Sequence, residues 1–108
     1  MEVVWIEVDP AGEPVVHEGS AELRDQKYGF LRLFKRPAIA AAEGERTLWF
    51  HPTDFWTWNR LFVKSATPEL RQQLRFLGLL PFDYDPRRVE VVMESVRNER
   101  RVADEFRE

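Results

Sequence analysis

Gln26-Lys27-Tyr28-Gly29-Phe30-Leu31 is one of two short aromatic stretches that decide the fold, and the other is Leu48-Trp49-Phe50-His51. Aromatic and β-branched residues favour strands, so the two stretches predict neighbouring strands of one small sheet. Alternation along the first strand places Tyr28, Phe30, Arg32 and Phe34 on one face, and Gly29, Leu31 and Leu33 on the other. We expect the aliphatic face to lie in the core.

The opposite face collects aromatic side chains from both stretches, namely Tyr28, Phe30, Phe34, Trp49 and His51. A half-solvated antiparallel sheet normally carries polar residues on its outer face. An aromatic outer face is therefore expected either to be covered by another element, such as an N-terminal hairpin, or to bind a ligand.

Length and composition narrow the class of protein. The 108 residues predict a single domain, 1–108, with one core. The absence of cysteine removes disulfides, thiol chemistry and the usual zinc sites, and it is consistent with the cytoplasm. No apolar run reaches about 18 residues and the first residues turn acidic at once, so we expect a soluble cytoplasmic protein with no membrane partner.

The charges are unevenly distributed. A net charge of −3 argues against a protein whose affinity comes mainly from phosphate neutralisation. Basic residues nevertheless crowd around the first aromatic stretch: Arg24, Lys27, Arg32, Lys35 and Arg36. They form either a phosphate-binding patch beside the aromatic residues or an ordinary solvated face.

The first half of the chain reads as strands and turns. Residues 3–8 and 14–17 predict an N-terminal hairpin around a Pro- and Gly-containing turn. Residues 20–25 predict a further strand that pairs with the first aromatic strand. Pro37 cannot donate to a ladder, so we predict a long loop over residues 35–46.

The second half contains one clear helix signal. Thr67 is a good N-cap, Pro68 suits the first helical position, and Gly78 suits the C-terminal cap. Leucines recur between them at helical spacing: Leu70, Leu74 and Leu77. A helix is therefore predicted over residues 67–77.

The remaining residues complete a barrel in this interpretation. Alternating side chains predict a strand over 89–93, followed by a turn at 97–100 and a last strand at 101–106. The predicted fold is mainly β: a five-stranded, partly open barrel of the oligonucleotide-binding type over 19–108. One helix lies between its third and fourth core strands, and residues 1–18 form an extra N-terminal hairpin.

The two aromatic stretches also resemble motifs of the bacterial cold-shock domains. Residues 26–31 are similar to the family's Lys-Gly-Phe-Gly-Phe-Ile motif, and residues 48–54 are similar to its Val-Phe-Val-His motif with the residues that follow. Residues 19–25, 89–93 and 103–106 resemble the family's first and closing strands. The resemblance implies an oligonucleotide-binding fold, binding of single-stranded nucleic acid, RNA rather than DNA, and a role in transcription or translation regulation.

The predicted nucleic-acid-binding residues are Lys27, Tyr28, Phe30, Arg32, Phe34, Trp49 and His51. Aromatic rings would stack on unpaired bases, and the basic side chains would follow the phosphate backbone. The alternative for the aromatic residues is packing in the core. His51 is either a base contact or a solvated cap at the end of its strand.

A protein-interaction module that docks on the transcription or translation apparatus is the alternative function. Residues 55–62 are densely aromatic, and we expect at least two of them in the core and Trp56 with Trp58 as contacts to a protein partner. No spacing of Ser, His and acids suggests nucleophilic catalysis, and no phosphate-cradling loop is present. Acidic residues at 83, 85 and 90 fit no recognised metal loop. We therefore expect no enzyme activity and no cofactor.

Overall fold

The structure is a computed structural model and describes residues 1–106. The six strands are β1 (Glu2–Val8), β2 (Pro14–Tyr28), β3 (Phe34–Glu43), β4 (Arg46–Phe50), β5 (Leu61–Ser65) and β6 (Phe82–Asp83). The three helices are α1 (Phe55–Trp58), α2 (Pro68–Phe76) and α3 (Pro86–Glu105). The strands form one open sheet in the order β4-β3-β2-β1-β5-β6. The mainly β prediction is confirmed, whereas closure into a barrel is not shown by the described residues.

The N-terminal hairpin is confirmed, but it is an integral part of the sheet. β1 pairs antiparallel with β2, and a tight turn joins them, with the backbone N–H of Gly12 donating to the carbonyl of Asp9 at 2.8 Å. The other edge of β1 pairs with β5. β1 is therefore a central strand, and the hairpin does not lie over the aromatic face.

The structure corrects the prediction for residues 20–46. β2 continues without a break to Tyr28, the chain reverses at residues 29–33, and the predicted loop is the strand β3. Pro37 is tolerated because β4 pairs with β3 only from Ile39 onward, so the missing N–H removes no bond to β4. The alanines that follow are small enough to be buried on both faces of the sheet.

The helix α2 matches the prediction closely. The hydroxyl of Thr67 accepts a hydrogen bond from the backbone N–H of Leu70 at 3.2 Å, and Pro68 opens the helix. Gly78 follows the helix with φ +74°, the left-handed conformation that ends many helices.

The two strands predicted at 89–93 and 101–106, and the turn at 97–100, are wrong because these residues form the single helix α3. The carboxylate of Asp85 accepts from the N–H of Arg87 at 3.0 Å, which caps the helix. Val89 and Val96 are buried on the same face of the helix, two turns apart. The short alternation at 89–93 conceals this helical period. No helix within residues 1–106 is long and apolar enough to cross a bilayer.

The core lies on both faces of the central strands. One face packs Trp5 and Phe50 against α1 and α2. The other face packs Ile6 and Phe62 against Val89 of α3. Burial on both faces explains why β1 and β5 read as continuous apolar runs instead of alternating ones.

Candidate functional site

Residues 22–38 extend beyond the rest of the sheet, and we call them the arm. β1 pairs with β2 only as far as Ser20, and β4 pairs with β3 only from Ile39. Between these limits β2 and β3 pair with each other alone, up to Tyr28 opposite Phe34. At about 3.3 Å per residue, the arm projects by about 20 Å.

One face of the arm, together with Trp49 of the adjacent strand β4, carries aromatic and basic side chains, and we call it the aromatic face. It lies opposite the face on which Ala21 joins the core with Ile39. Its residues come from three strands: Arg24, Gln26 and Tyr28 of β2, Phe34 and Arg36 of β3, and Trp49 of β4. The strand pairing thus brings together residues that are separated by up to 25 positions in the sequence.

Arg24 and Trp49 form the inner end of the aromatic face. The guanidinium carbon of Arg24 lies 5.4 Å from the centre of the Trp49 ring, within the range of a cation–π contact. Ala38 is opposite Arg24 and Ala40 is opposite Trp49 in the strand pairing, and both alanines are buried. These small residues leave room for the larger side chains of the neighbouring strands.

Arg36 organises the outer end of this face. Its guanidinium carbon lies 4.9 Å from the centre of the Tyr28 ring, and its Nε and Nη2 both donate to Oε1 of Gln26 at 3.2 Å. A further bond runs from Nη1 to the hydroxyl oxygen of Thr53 at 2.6 Å. The Tyr28 and Phe34 rings pack 5.8 Å apart. Arg36 therefore holds the side chains around it in a defined arrangement.

His51 closes the turn that follows β4. The backbone N–H of Thr53 donates to Nδ1 of His51 at 3.1 Å, and the Thr53 hydroxyl lies 2.9 Å from the same atom. Burial lowers the pKa of His51, and the charge of Arg36 lowers it further against the opposing effect of Asp54. The imidazole is therefore neutral at pH 7, with Nδ1 as the acceptor and the hydrogen on Nε2.

Three basic side chains of the arm have no acidic partner among the residues that the structure describes. Lys27, Arg32 and Lys35 make no ion pair within residues 1–106. With five basic and two acidic residues, the arm carries a net charge of +3 in a chain of −3. A groove of about 640 Å³ follows the arm, and Arg32 and Trp49 are among the residues that line it.

The structure confirms part of the predicted arrangement. Tyr28 and Phe34 share the aromatic face with Trp49, and they are 41% and 57% exposed. Phe30 and Arg32 lie in the 3-10 turn at the end of the arm instead of in a strand. No local sequence pattern indicates that Arg36 is central, because its pairing with Gln26 depends on the position of the turn at 29–33.

The predicted aliphatic core face of this stretch is wrong. Leu31 and Leu33 are 74% and 71% exposed, because they belong to the turn and not to a strand with a covered face. Gly29 has φ +82° and ψ −170°, a conformation that few residues other than glycine adopt. This glycine is the signal that marks the end of β2.

The second aromatic cluster is divided between core and surface. Trp58 and Phe62 are buried, which confirms core packing for at least two of these residues and corrects the prediction of Trp58 as a partner contact. Phe55 and Trp56 are each 64% exposed, and their rings meet edge to face at 6.1 Å.

Glu7, His17 and Glu43 are the one group of metal-ligand type within residues 1–106, with ligand atoms within 4.8 Å of one another. His17 places Nδ1 2.7 Å from Glu43 and Nε2 3.2 Å from Glu7. Arg46 donates to both carboxylates, at 2.6 Å to Glu7 and 2.8 Å to Glu43. Arg46 and the His17 ring thus already face the two carboxylates, so we interpret these four residues as an ion network that closes one end of the core.

Hydrogen bonding sets the ionisation of this ion network. The bond from Arg46 lowers the pKa of Glu7, and the bond from His17 lowers the pKa of Glu43. Trp5 contributes a further bond, donated by its indole N–H to Glu7 at 3.0 Å, and its ring stacks on His17. The network therefore anchors the hairpin of β1 and β2 to β3 and β4.

Comparison of the chain with protein-family models, with curated proteins and with solved structures gives no match.

Proposed function

We propose that this chain binds single-stranded nucleic acid, RNA in preference to DNA, through the aromatic face of the arm and without enzyme activity. The observation that carries the proposal is the row formed by exposed Tyr28, exposed Phe34 and half-buried Trp49, with Arg24 and Arg36 between them. The preference for RNA, the cold-shock-like barrel, and a cytoplasmic role in transcription or translation regulation rest on the resemblance of residues 26–31 and 48–54 to the cold-shock motifs.

Stacking supplies the sequence-tolerant part of the proposed affinity. Each base stacked on an aromatic ring contributes about 1 to 3 kcal/mol. The row from Trp49 to Tyr28 is about 20 Å long, which corresponds to roughly six nucleotides at about 3.4 Å each. Because Arg36 already holds the Tyr28 ring, little ordering is needed when a base stacks on it.

Unpaired cations supply the electrostatic part. Lys27, Arg32 and Lys35 are available to phosphates, since no carboxylate within residues 1–106 neutralises them. Arg24 and Arg36 are partly compensated by Glu22 and Asp54, at 3.6 Å and 3.4 Å. We therefore expect few phosphate contacts and a modest salt dependence, with a slope of about −0.7 in log affinity per contact.

Fluorescence anisotropy of a labelled oligouridine of about eight nucleotides tests the proposal. Trp49→Ala is expected to weaken binding about five- to 150-fold, the equivalent of one lost base stack. Trp56→Ala is the matched control, since Trp56 is exposed outside the arm, and it is expected to leave binding unchanged. No binding by the unmodified chain at low salt and micromolar concentration contradicts the proposal, and oligothymidine in parallel tests the preference for RNA.

Protein interaction is the second candidate function, because Phe55 and Trp56 expose large aromatic surface away from the arm. Exposed tryptophan is enriched at the energetic centres of protein interfaces. Co-sedimentation with nuclease-treated ribosomes or RNA polymerase that is lost in Trp56→Ala and kept in Trp49→Ala would favour it. Trp58 is unsuitable for this test because its truncation would disturb the core.

A further inference from the structure

The end of the arm exposes apolar side chains that the proposed single-strand contacts leave unused. We call residues 29–33 the tip. Phe30, Leu31 and Leu33 are 79%, 74% and 71% exposed there, and no other element within residues 1–106 covers them. Isolated apolar residues are ordinary at a protein surface, but a contiguous group at the end of a projecting ribbon marks an interaction site.

The tip is an ordered turn and not a loose loop. The N–H of Arg32 donates to the carbonyl of Gly29 at 3.0 Å, and Phe34 packs so close to Gly29 that an added Cβ would lie 2.6 Å from its ring. Leu31 and Arg32 have φ of +54° and +53°. Residues other than glycine rarely adopt this left-handed backbone conformation, and backbone strain of this kind concentrates at functional sites.

Charge and position indicate the chemistry of the partner. Arg32 lies in the tip itself, and Lys27 and Lys35 are opposite each other in the strands that lead into and out of it, so a complementary surface is apolar with anionic groups beside it. The terminal base pair of a nucleic-acid stem is such a surface, since its flat face is apolar and a phosphate backbone runs along each side. The tip is also continuous with the aromatic face through Tyr28 and Phe34.

We infer that the tip is a wedge for the junction between a single strand and a stem. The single strand would follow the aromatic face, and Phe30 and Leu31 would stack on the last base pair of the stem, as apolar side chains of other proteins insert at base steps. This inference rests on the proposed function, and it narrows the ligand to structured nucleic acid with a single-stranded overhang.

Anisotropy titrations with three labelled RNAs test the inference. They are a single strand of about eight nucleotides, a stem of about ten base pairs carrying that strand as an overhang, and the same stem with a blunt end. The overhang stem is expected to bind about tenfold more tightly than the single strand, the effect of one additional stack. The blunt stem is expected to bind more weakly than both.

Two variants assign the preference to the tip. Phe30→Ala and Leu31→Asn are both expected to abolish the tenfold preference. Leu31 is not among the predicted single-strand contacts, so Leu31→Asn is also expected to leave the affinity for the single strand unchanged. Asn tolerates the left-handed conformation of Leu31, so the turn is kept. Phe76→Ala is the matched control, because Phe76 is 90% exposed on α2 and lies outside the arm.

The outcomes separate the inference from the function on which it rests. Binding of the single strand without a preference for the overhang stem overturns the wedge and leaves the proposed function standing. No binding of any RNA overturns both. Sedimentation with phosphatidylserine vesicles that is lost in Phe30→Ala, without a junction preference, overturns the wedge in favour of an anionic lipid surface.

Discussion

The arm and the rest of the sheet, which we call the body, are built from the same strands but differ in what covers them. In the body, β1 and β5 have neighbours on both edges and helices on both faces, so Phe62 is fully buried. In the arm, β2 and β3 have only each other, so Phe34 and Leu33 are exposed. Burial in this protein follows from neighbouring elements and not from the hydrophobicity of the residue.

The two regions also treat charge differently. In the body, Glu7 and Glu43 are paired with Arg46 and His17 in one network. The arm leaves Lys27 without a partner among the described residues. Paired charges contribute to a fixed structure, whereas unpaired charges are available to a ligand. In the proposed function, the body therefore supplies the stability and the arm supplies the binding surface.

The largest expected effect compares one residue type in the two regions. Phe62→Ala removes a fully buried ring from the body and is expected to lower the free energy of unfolding by about 3 to 5 kcal/mol. Phe30→Ala removes an exposed ring from the tip and is expected to change it by less than about 0.5 kcal/mol. Urea unfolding measures both values. Equal losses would show that the tip packs against other residues and would break the comparison.

Two glycines test the backbone of the arm against that of the body. Gly29→Ala is expected to cost about 2 to 3 kcal/mol, because the φ and ψ of Gly29 are accessible almost only to glycine and an added Cβ would meet Phe34. Gly44→Ala, in the β3–β4 turn, is expected to cost about 1 kcal/mol, since φ is +61° and no atom lies within 4 Å of the added Cβ. Thermal unfolding of both variants gives the difference, and a larger loss at Gly44 contradicts the assignment of the tip as a tightly packed turn.

The ion network predicts an acid dependence of stability that originates in the body. The pKa values of Glu7 and Glu43 are lower in the folded chain than their ordinary value of 4.5. Their stabilisation is therefore complete above that value and is lost as the pH falls from about 5 through the folded-state pKa values. Arg46→Met is expected to flatten this loss in urea titrations at several pH values.

Arg71→Met is the control for that titration. Arg71 pairs with Asp83 at 2.9 Å on the surface, outside the network. Its removal is expected to leave the acid dependence unchanged. If both variants flatten the curve equally, the network is not its source.

The smallest expected effect on stability belongs to the unpaired charge of the arm. Lys27→Ala is expected to change the free energy of unfolding by less than about 0.5 kcal/mol, and to reduce the salt slope of RNA binding by about 0.7 for the loss of one phosphate contact. Lys64→Ala is the matched control, because Lys64 belongs to the body and lies 3.6 Å from Glu18. The salt slope of RNA binding is expected to be unchanged in this variant. Identical salt slopes of RNA affinity for both variants would show that Lys27 makes no phosphate contact.

The elements with local signals were predictable. The N-cap, proline and glycine around residues 67–78 fix a helix within its own sequence, and the Pro- and Gly-containing turn fixes the hairpin of β1 and β2. The candidate site was predictable in part, since Tyr28, Phe34 and Trp49 do share a face. The prediction of a strand at 89–93 was wrong because five residues that alternate also fit a helix with one apolar stripe.

What the sequence by itself determined is the residue chemistry: aromatic and basic side chains concentrated around residues 24–36, no cysteine, and a clearly capped helix. The tertiary structure decided which of those side chains are exposed. Leu31 and Leu33 lie at the surface because the turn at Gly29 ends β2 before them, and the aromatic face is open because β1 joins the sheet edge to edge. Both outcomes depend on strand pairing between distant residues, and alternation within a single strand carries no information about its neighbours.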